Sequence, residues 1–178
     1  MPPLIEYLND AGIEPGTDHQ IRDLLTTCFT KEEDEVFRHR RYFIEPYPHR
    51  WVIRGPDGRM RAHVGVHDKP LKVGTQSLRF GGIAEVCVHP DHRGRGYVKS
   101  MLAVIHSWLG ANGFAFAILF GDPQVYESSG YRVVDNIRMS DDPAQPEGPR
   151  HAVTAMIRPL TTDLHWPDET VFIPGPTF

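Results

Sequence analysis

Residues 83–113 read IAEVCVHPDHRGRGYVKSMLAVIHSWLGANG, and the way this stretch divides decides the fold. Residues 83–88 are rich in β-branched side chains and apolar except for Glu85, the pattern of a strand. HPDHRGRG follows as a basic, glycine-containing turn. Val98, Met101, Leu102, Ile105, Trp108 and Leu109 then recur at spacings that line one face of a helix. Gly110 and Gly113 bracket its end, where glycine accepts the left-handed conformation that closes a helix. Strand, glycine turn and helix together make a phosphate cradle. The first N–H groups of a helix have no partner inside it, and the dipole there is positive. Arg93 and Arg95 add full charges, and Gly94 and Gly96 let the backbone come close to a ligand.

The turn excludes two familiar phosphate loops. A Walker A loop needs Gly directly before Lys-Ser, but Val98 precedes Lys99-Ser100, and Arg93 stands at the position of that loop's first Gly. A dinucleotide fingerprint needs a third Gly or Ala, and Lys99 occupies that place. The segment Val88-His89-Pro90 followed by Arg93-Gly94-Arg95-Gly96-Tyr97-Val98 instead resembles the acyl-coenzyme A loop of the GCN5-related N-acetyltransferases (GNAT), with Val98 where that family prefers Gly or Ala. Downstream, Gly121-Asp122-Pro123, then Tyr126, then Gly130-Tyr131 resembles the family's second signature.

The resemblance covers residues 51–134 and implies an α/β fold. Its sheet is mixed and mostly antiparallel, with a parallel, splayed strand pair, and is flanked by helices. It implies acetyl-coenzyme A as co-substrate, held by Arg93, Gly94, Arg95, Gly96, Tyr97 and Val98, with the backbone of Val86, Cys87 and Val88 on the pantetheine. It implies Tyr126 as general acid near the thioester sulfur and Glu85 as general base acting through water.

Working outward, 178 residues with 40% hydrophobic content form one domain, residues 1–178, long enough for a real core. The net charge of −4 argues against a broad nucleic-acid footprint. No apolar run is long enough for a membrane span, and the N-terminus lacks a signal-peptide layout, so we expect a cytoplasmic protein with neither nucleic acid nor membrane as partner. Cys28 and Cys87 give no disulfide framework.

Upstream, residues 4–8 read as a short strand. Thr17 and Asp18 read as the cap of a helix through Ile21, Leu24, Leu25 and Phe29. Residues 31–41 suggest a second, highly charged helix with Val36 and Phe37 inward. Residues 42–50, with Pro46 and Pro48, are a loop rich in aromatics that either seals the core edge or walls a substrate site. Residues 51–54 and 60–66 read as strands joined by the hairpin turn Gly55-Pro56-Asp57-Gly58. His63 and His67 share a strand face and are expected to face solvent. Residues 69–75 hold another turn. Residues 76–88 return as a strand with a bulge expected at Gly81-Gly82. Downstream, residues 114–120 read as a buried parallel strand, 132–135 and 151–160 as further strands, 141–149 as a loop, and 161–178 as an irregular tail.

The chemistry follows from acyl transfer. A neutral amine must attack a thioester carbonyl, and the departing thiolate must be protonated. Beside the base reading of Glu85 stands a structural one, an ion pair at the strand. Beside the acid reading of Tyr126 stands a core tyrosine. Cys87 reads as an inert buried thiol, and Asp122 as a helix cap. His89, Asp91 and His92 are not expected to hold a metal, and His92 adds to the positive field. We expect a primary amine of a small molecule as acceptor. A longer acyl donor, or coenzyme A sensing without turnover, is the alternative. The assembly state is open, with a homodimer as the candidate.

Overall fold

The computed structural model describes residues 3–140, 142, 145, 148–176 and 178. The chain packs as two compact units. The first comprises the residues up to His67 together with Ala84–Ile105, and the second comprises Asp68–Ile83 with His106–Phe178.

In the first unit, β1 (Ile5–Asn9) pairs antiparallel with β2 (His49–Arg54), and β2 pairs antiparallel with β3 (Met60–Val73). β4 (Gln76–Val88) is the next neighbour of β3. The β2–β3 turn closes through Gly58 N–H to Gly55 O at 2.9 Å and Gly55 N–H to Arg59 O at 2.9 Å. Helix α1 (Pro15–Cys28) buries Ile21, Leu24 and Leu25 against Val52, Met60 and Cys87. It starts earlier than Thr17 and Asp18 suggest. Glu14 is the N-cap and Pro15 takes the first turn, where its missing N–H costs nothing. Asp18 instead receives Arg22 Nε and Arg41 Nη1, both at 2.8 Å. Residues 31–41 form a 3-10 helix, Glu32–Arg38, rather than an α-helix, and of its two apolar residues Phe37 is fully buried.

A part-buried ion cluster ties these pieces together. Asp10 accepts Arg41 Nε at 2.7 Å and Nη2 at 2.9 Å, and Arg50 Nε at 2.6 Å. Arg50 is fully buried. Burial alone would raise the Asp10 pKa, but hydrogen bonds from Arg41 and Arg50, with their charges, reverse this and hold it below the ordinary 3.8.

In the second unit, β5 (Phe116–Leu119) runs parallel to β4, with Phe80, Gly81 and Gly82 opposite Phe116, Ala117 and Ile118. This parallel register ends at Gly82 and Ile118. β7 (Arg150–Pro159) pairs antiparallel with both β5 and β6 (Arg132–Ser140). β8 (Val171–Ile173) lies parallel to β6 and meets β3 antiparallel at Lys72 and Phe172. The order is thus β4-β5-β7-β6-β8. Phe80, Phe116, Ile118, Ile137, Ile157 and Trp166 build its core.

Helix α2 (Tyr97–Ala111), like β3 and β4, contributes residues to both units. It ends in a Schellman arrangement: Phe114 N–H reaches Leu109 O at 3.1 Å, Gly113 N–H reaches Gly110 O at 3.3 Å, and Gly113 has φ +79°. The expected architecture is present: a mixed, mostly antiparallel sheet with a parallel pair, flanked by helices.

Several local expectations are corrected. β3 continues through residues 69–73, so the turn shrinks to Gly74 and Thr75. Gly81 and Gly82 pair in regular register with β5, and further along β4 Glu85 has φ +42°. The segment 161–178 carries β8 and is anchored by side chains. Trp166 Nε1 donates to Asn136 Oδ1 at 2.8 Å, Asn136 Nδ2 donates to Pro167 O at 2.9 Å and Glu169 O at 2.6 Å, and the Phe178 ring packs on Phe80 and Phe120. Of the loop expected over 141–149, Asp141, Pro143, Ala144, Pro146 and Glu147 lie outside the described residues. No helix among the described residues is long and apolar enough to cross a membrane.

Asp10→Ala leaves the Arg50 charge buried without its carboxylate, and should cost about 3–5 kcal/mol in chemical denaturation. Because the Asp10 and Asp18 pKa values are lowered in the folded state, their contribution is complete above pH 3.8 and lost as pH falls through the lowered values. Asp10→Asn should remove part of that acid-side loss, read as a flatter melting temperature below pH 4.

Candidate active site

Two stretches of the first unit carry most of the predicted site: the end of β4 and the turn into α2. The turn begins with a 3-10 helix, Pro90–His92, capped when His89 Nδ1 accepts Asp91 N–H at 3.3 Å. Arg93 Nε donates to Val88 O at 3.3 Å and folds the turn back on the strand. Gly94 and Gly96 have φ +73° and +72°, the left-handed region that L side chains avoid, and no atom lies within 4 Å of a β-carbon built on either.

The first intrahelical bond of α2 runs from Ser100 N–H to Gly96 O at 3.1 Å. The N–H groups of Tyr97, Val98 and Lys99 are therefore left for a ligand by helix geometry. Arg93, Gly94, Arg95 and Gly96 are exposed, and Val98 is half-buried in the first helical turn. Open space over two left-handed glycines, orphan amides and two exposed guanidiniums fit a pyrophosphate. The surroundings of His92 disfavour the positive charge expected of it. Burial, then the charges of Arg61 and Arg95, lower its pKa, and Arg61 Nη1 contacts its ring.

Upstream of the turn, Glu85 stands out. Its Oε1 accepts Phe43 N–H at 3.2 Å, while Oε2 is buried with no hydrogen-bond partner. Burial raises its pKa above the ordinary 4.5, opposed by the Tyr47 hydroxyl, the Phe43 amide and the Arg50 charge. The ion-pair reading is not what the structure shows, because Arg50 makes its salt bridge to Asp10. Arg50 Nη1 donates to Tyr47 Oη at 2.9 Å and to His63 Nε2 at 3.1 Å.

His63 and His67 do not face solvent. They are 0% and 4% exposed, on the sheet face that also carries Arg50 and Glu85, under the Tyr47 ring. Gly65 lies between them on that face, and a β-carbon there would collide with Tyr47. The aromatic loop thus largely seals the core, with Tyr47 and Trp51 buried, yet its Phe43 amide and Tyr47 ring also enclose the Glu85 carboxylate.

Cys87 is buried against α1, and its thiol pKa is raised, first by a hydrogen bond with the Cys28 thiol and then by burial. Val86 and Val88 are half-buried on the same strand.

Tyr126 belongs to the second unit. Helix α3 (Pro123–Tyr126) is capped by Asp122, whose Oδ1 accepts Gln124 N–H at 2.9 Å, and runs into a 3-10 turn closed by Gly130 at φ +83°. The Tyr126 ring meets Tyr131 edge-on at 6.1 Å and lies against the bare α-carbon of Gly121. Burial raises its pKa, so the phenol keeps its proton. Nothing among the described residues hydrogen-bonds its hydroxyl.

Tyr47, Arg50 and His63 surround Glu85, and sequence reasoning missed all of them in this role. Their partners lie far away in the chain, and only the charged Arg50 at the head of an apolar strand signals a buried polar contact.

A mixed sheet with a phosphate-type turn leading into α2 defines the class, an α/β protein with a candidate phosphate-binding turn at the start of a helix. The family model described as "Acetyltransferase (GNAT) domain" matches residues 13–134, well over half of the chain, and the protein belongs to that family. No curated protein sequence matches significantly.

Among solved structures, the chain is similar to a GNAT family N-acetyltransferase (YhbS) from Escherichia coli in complex with CoA. That match has TM-score 0.69 and 19% identity, over 96% of this chain and 89% of that one. It is also similar to a GNAT family acetyltransferase from Brucella melitensis in complex with acetyl-CoA, with TM-score 0.53 and 18% identity over 74% and 84%. A third is the ribosomal-protein-S18-alanine N-acetyltransferase from Escherichia coli, with TM-score 0.53 and 15% identity over 92% and 100%.

Gly96→Ala forces an alanine into left-handed backbone at a cost of about 1–2 kcal/mol, or frees the turn to another conformation. Calorimetric titration should show coenzyme A affinity falling, while the fold, checked by circular dichroism, persists.

Proposed function

We propose that the protein transfers the acetyl group of acetyl-coenzyme A to a primary amine of a small molecule by direct attack, in a cytoplasmic setting. The observation that carries this reading is the turn into α2, with left-handed Gly94 and Gly96, exposed Arg93 and Arg95, and the orphan amides of Tyr97 to Lys99.

The amine nitrogen attacks the thioester carbonyl carbon, and the carbonyl π pair moves onto oxygen. Backbone N–H groups of residues 86–88 polarise that oxygen, as the family resemblance implies. The attacking nitrogen gives up its proton through water to Glu85, whose free Oε2 and raised pKa suit a base. Collapse breaks the C–S bond, and the thiolate takes a proton from Tyr126, assigned as acid by the resemblance of its segment and by its protonated, unpartnered phenol. The acetyl group travels directly, with no covalent enzyme intermediate.

Two measurements test this reading. In thermal-shift titration, acetyl-coenzyme A and coenzyme A should stabilise the protein while ATP and NAD should not. A ligand at a hundredfold excess over its dissociation constant adds about 2.7 kcal/mol, and the Arg93→Ala/Arg95→Ala variant should lose most of it. A shift with ATP or NAD alone overturns the assignment. Thiol release is then followed across primary amines. One neighbour is an S18-alanine N-acetyltransferase, so a peptide with N-terminal alanine joins an aminoglycoside, a polyamine and an amino acid in the panel.

For the amine that turns over, kcat/KM should fall on the acid side with an apparent pKa above 4.5, because only ionised Glu85 accepts the proton. Glu85→Gln should lower the rate about 100-fold or more. Tyr126→Phe should lower kcat with little change in the KM for acetyl-coenzyme A. Coenzyme A binding without turnover of any amine would turn the assignment to sensing.

A further inference from the structure

Glu85 holds φ +42°, the one described residue other than glycine with positive φ. Such a conformation costs energy and persists only where the surroundings hold it. The holding contact is visible on the neighbouring strand. His63 Nδ1 lies 2.9 Å from Glu85 O, and His63 Nε2 lies 3.1 Å from Arg50 Nη1. A guanidinium can only donate, so Nε2 must accept, and the imidazole proton must sit on Nδ1 and point at the Glu85 carbonyl. Arg50 is itself fixed by Asp10 Oδ1 at 2.6 Å and Tyr47 Oη at 2.9 Å.

Building on the reading of Glu85 as base, we propose that His63 is a positioning residue. Its Nδ1–H clamps the Glu85 carbonyl and so aims the carboxylate into the pocket formed by Phe43, Tyr47 and Arg50, while Arg50 selects the tautomer that makes the clamp.

The electrostatics suit a clamp rather than a proton carrier. Burial, then the Arg50 charge, pushes the His63 pKa down to about 3, and the imidazole stays neutral through the working range. The groups facing Glu85 are Tyr47 from the loop, Arg50 on β2, His63 on β3 and Cys87 on its own strand, with Asp10 behind Arg50. Of these, only Arg50 and Asp10 carry charge at neutral pH, and they pair with each other.

The test compares wild type, His63→Asn and His63→Leu. The asparagine amide places an N–H close to the position of Nδ1, whereas leucine fills the space and donates nothing. Carbon-13 carboxyl NMR, with Glu85→Gln used to identify the resonance, follows the Glu85 titration and needs no acceptor substrate. Wild type and His63→Asn should titrate above 4.5. In His63→Leu the carboxyl should relax toward the ordinary value as the released backbone lets it leave the pocket. The acid limb of kcat/KM should move with it, and kcat should drop at least tenfold at unchanged KM for acetyl-coenzyme A.

An unchanged titration in His63→Leu overturns the proposal, as does equal loss in both variants. Nitrogen-15 NMR of the wild-type imidazole keeps the proposal testable if His63→Leu fails to fold, since a proton on Nε2 would also overturn it. Glu85→Gln at full rate would remove the base reading and this inference together. A slow Glu85→Gln with a fully active His63→Leu would remove this inference alone.

Discussion

Placing the Arg50 guanidinium in a site with no exposure is the constraint from which the first unit follows. A buried cation without partners is strongly unfavourable, and a single carboxylate satisfies only part of its donor fork. Asp10 supplies the opposite charge from the end of β1, Tyr47 supplies a hydroxyl from the loop before β2, and His63 supplies a ring nitrogen from β3. Together they take Nε and Nη1, while Nη2 stays buried without a hydrogen-bond partner. Asp10 is shared with Arg41, and Arg41 with Asp18 on α1, so the same network pins the loop carrying Phe43 and Tyr47. That loop in turn delivers the amide and the aromatic wall around Glu85. The enclosure of Glu85 is thus a consequence of how one buried charge is neutralised.

The shape of the turn into α2 was legible in the sequence because its physics is local. Gly94 and Gly96 hold left-handed φ, the amides of α2 are free by helix geometry, and Arg93 and Arg95 flank the first of these glycines in the chain. All of this lies within one short turn, so residue type and spacing suffice. Phe116–Leu119 was legible for a related reason: a strand buried on both faces reads as an unbroken apolar run. Asp122 as cap and Gly130 as closure of the turn are equally local.

The misread elements share the opposite property. His63 and His67 look like solvent-facing residues on an alternating strand, and nothing near them in the chain shows that Tyr47 lies over them or that Arg50 approaches from β2. Nothing in the chain near Glu85 signals its left-handed backbone, and the contact of its carbonyl with His63 comes from a distant strand. Asp18 looks like a cap because capping is the commonest local use of an aspartate near a helix start. Two arginines use it instead, and Pro15 sets the start of α1. The segment 161–178, rich in proline, conceals a strand of three residues that exists only because β6 and β3 offer it edges.

In its proposed role as base, Glu85 sits in an environment that balances two opposing requirements. Burial alone raises the carboxyl pKa and favours the protonated form. A direct salt bridge to Arg50 would do the reverse, leaving a stable carboxylate with little tendency to take a proton. The structure does neither. Arg50 is close enough for its charge to oppose the effect of burial, but its own salt bridge goes to Asp10, and Glu85 keeps one oxygen unpartnered. The net upward shift brings the carboxyl nearer to the working pH, where a general base is most effective. Asp10 takes the Arg50 salt bridge, which leaves Glu85 without a direct ionic partner.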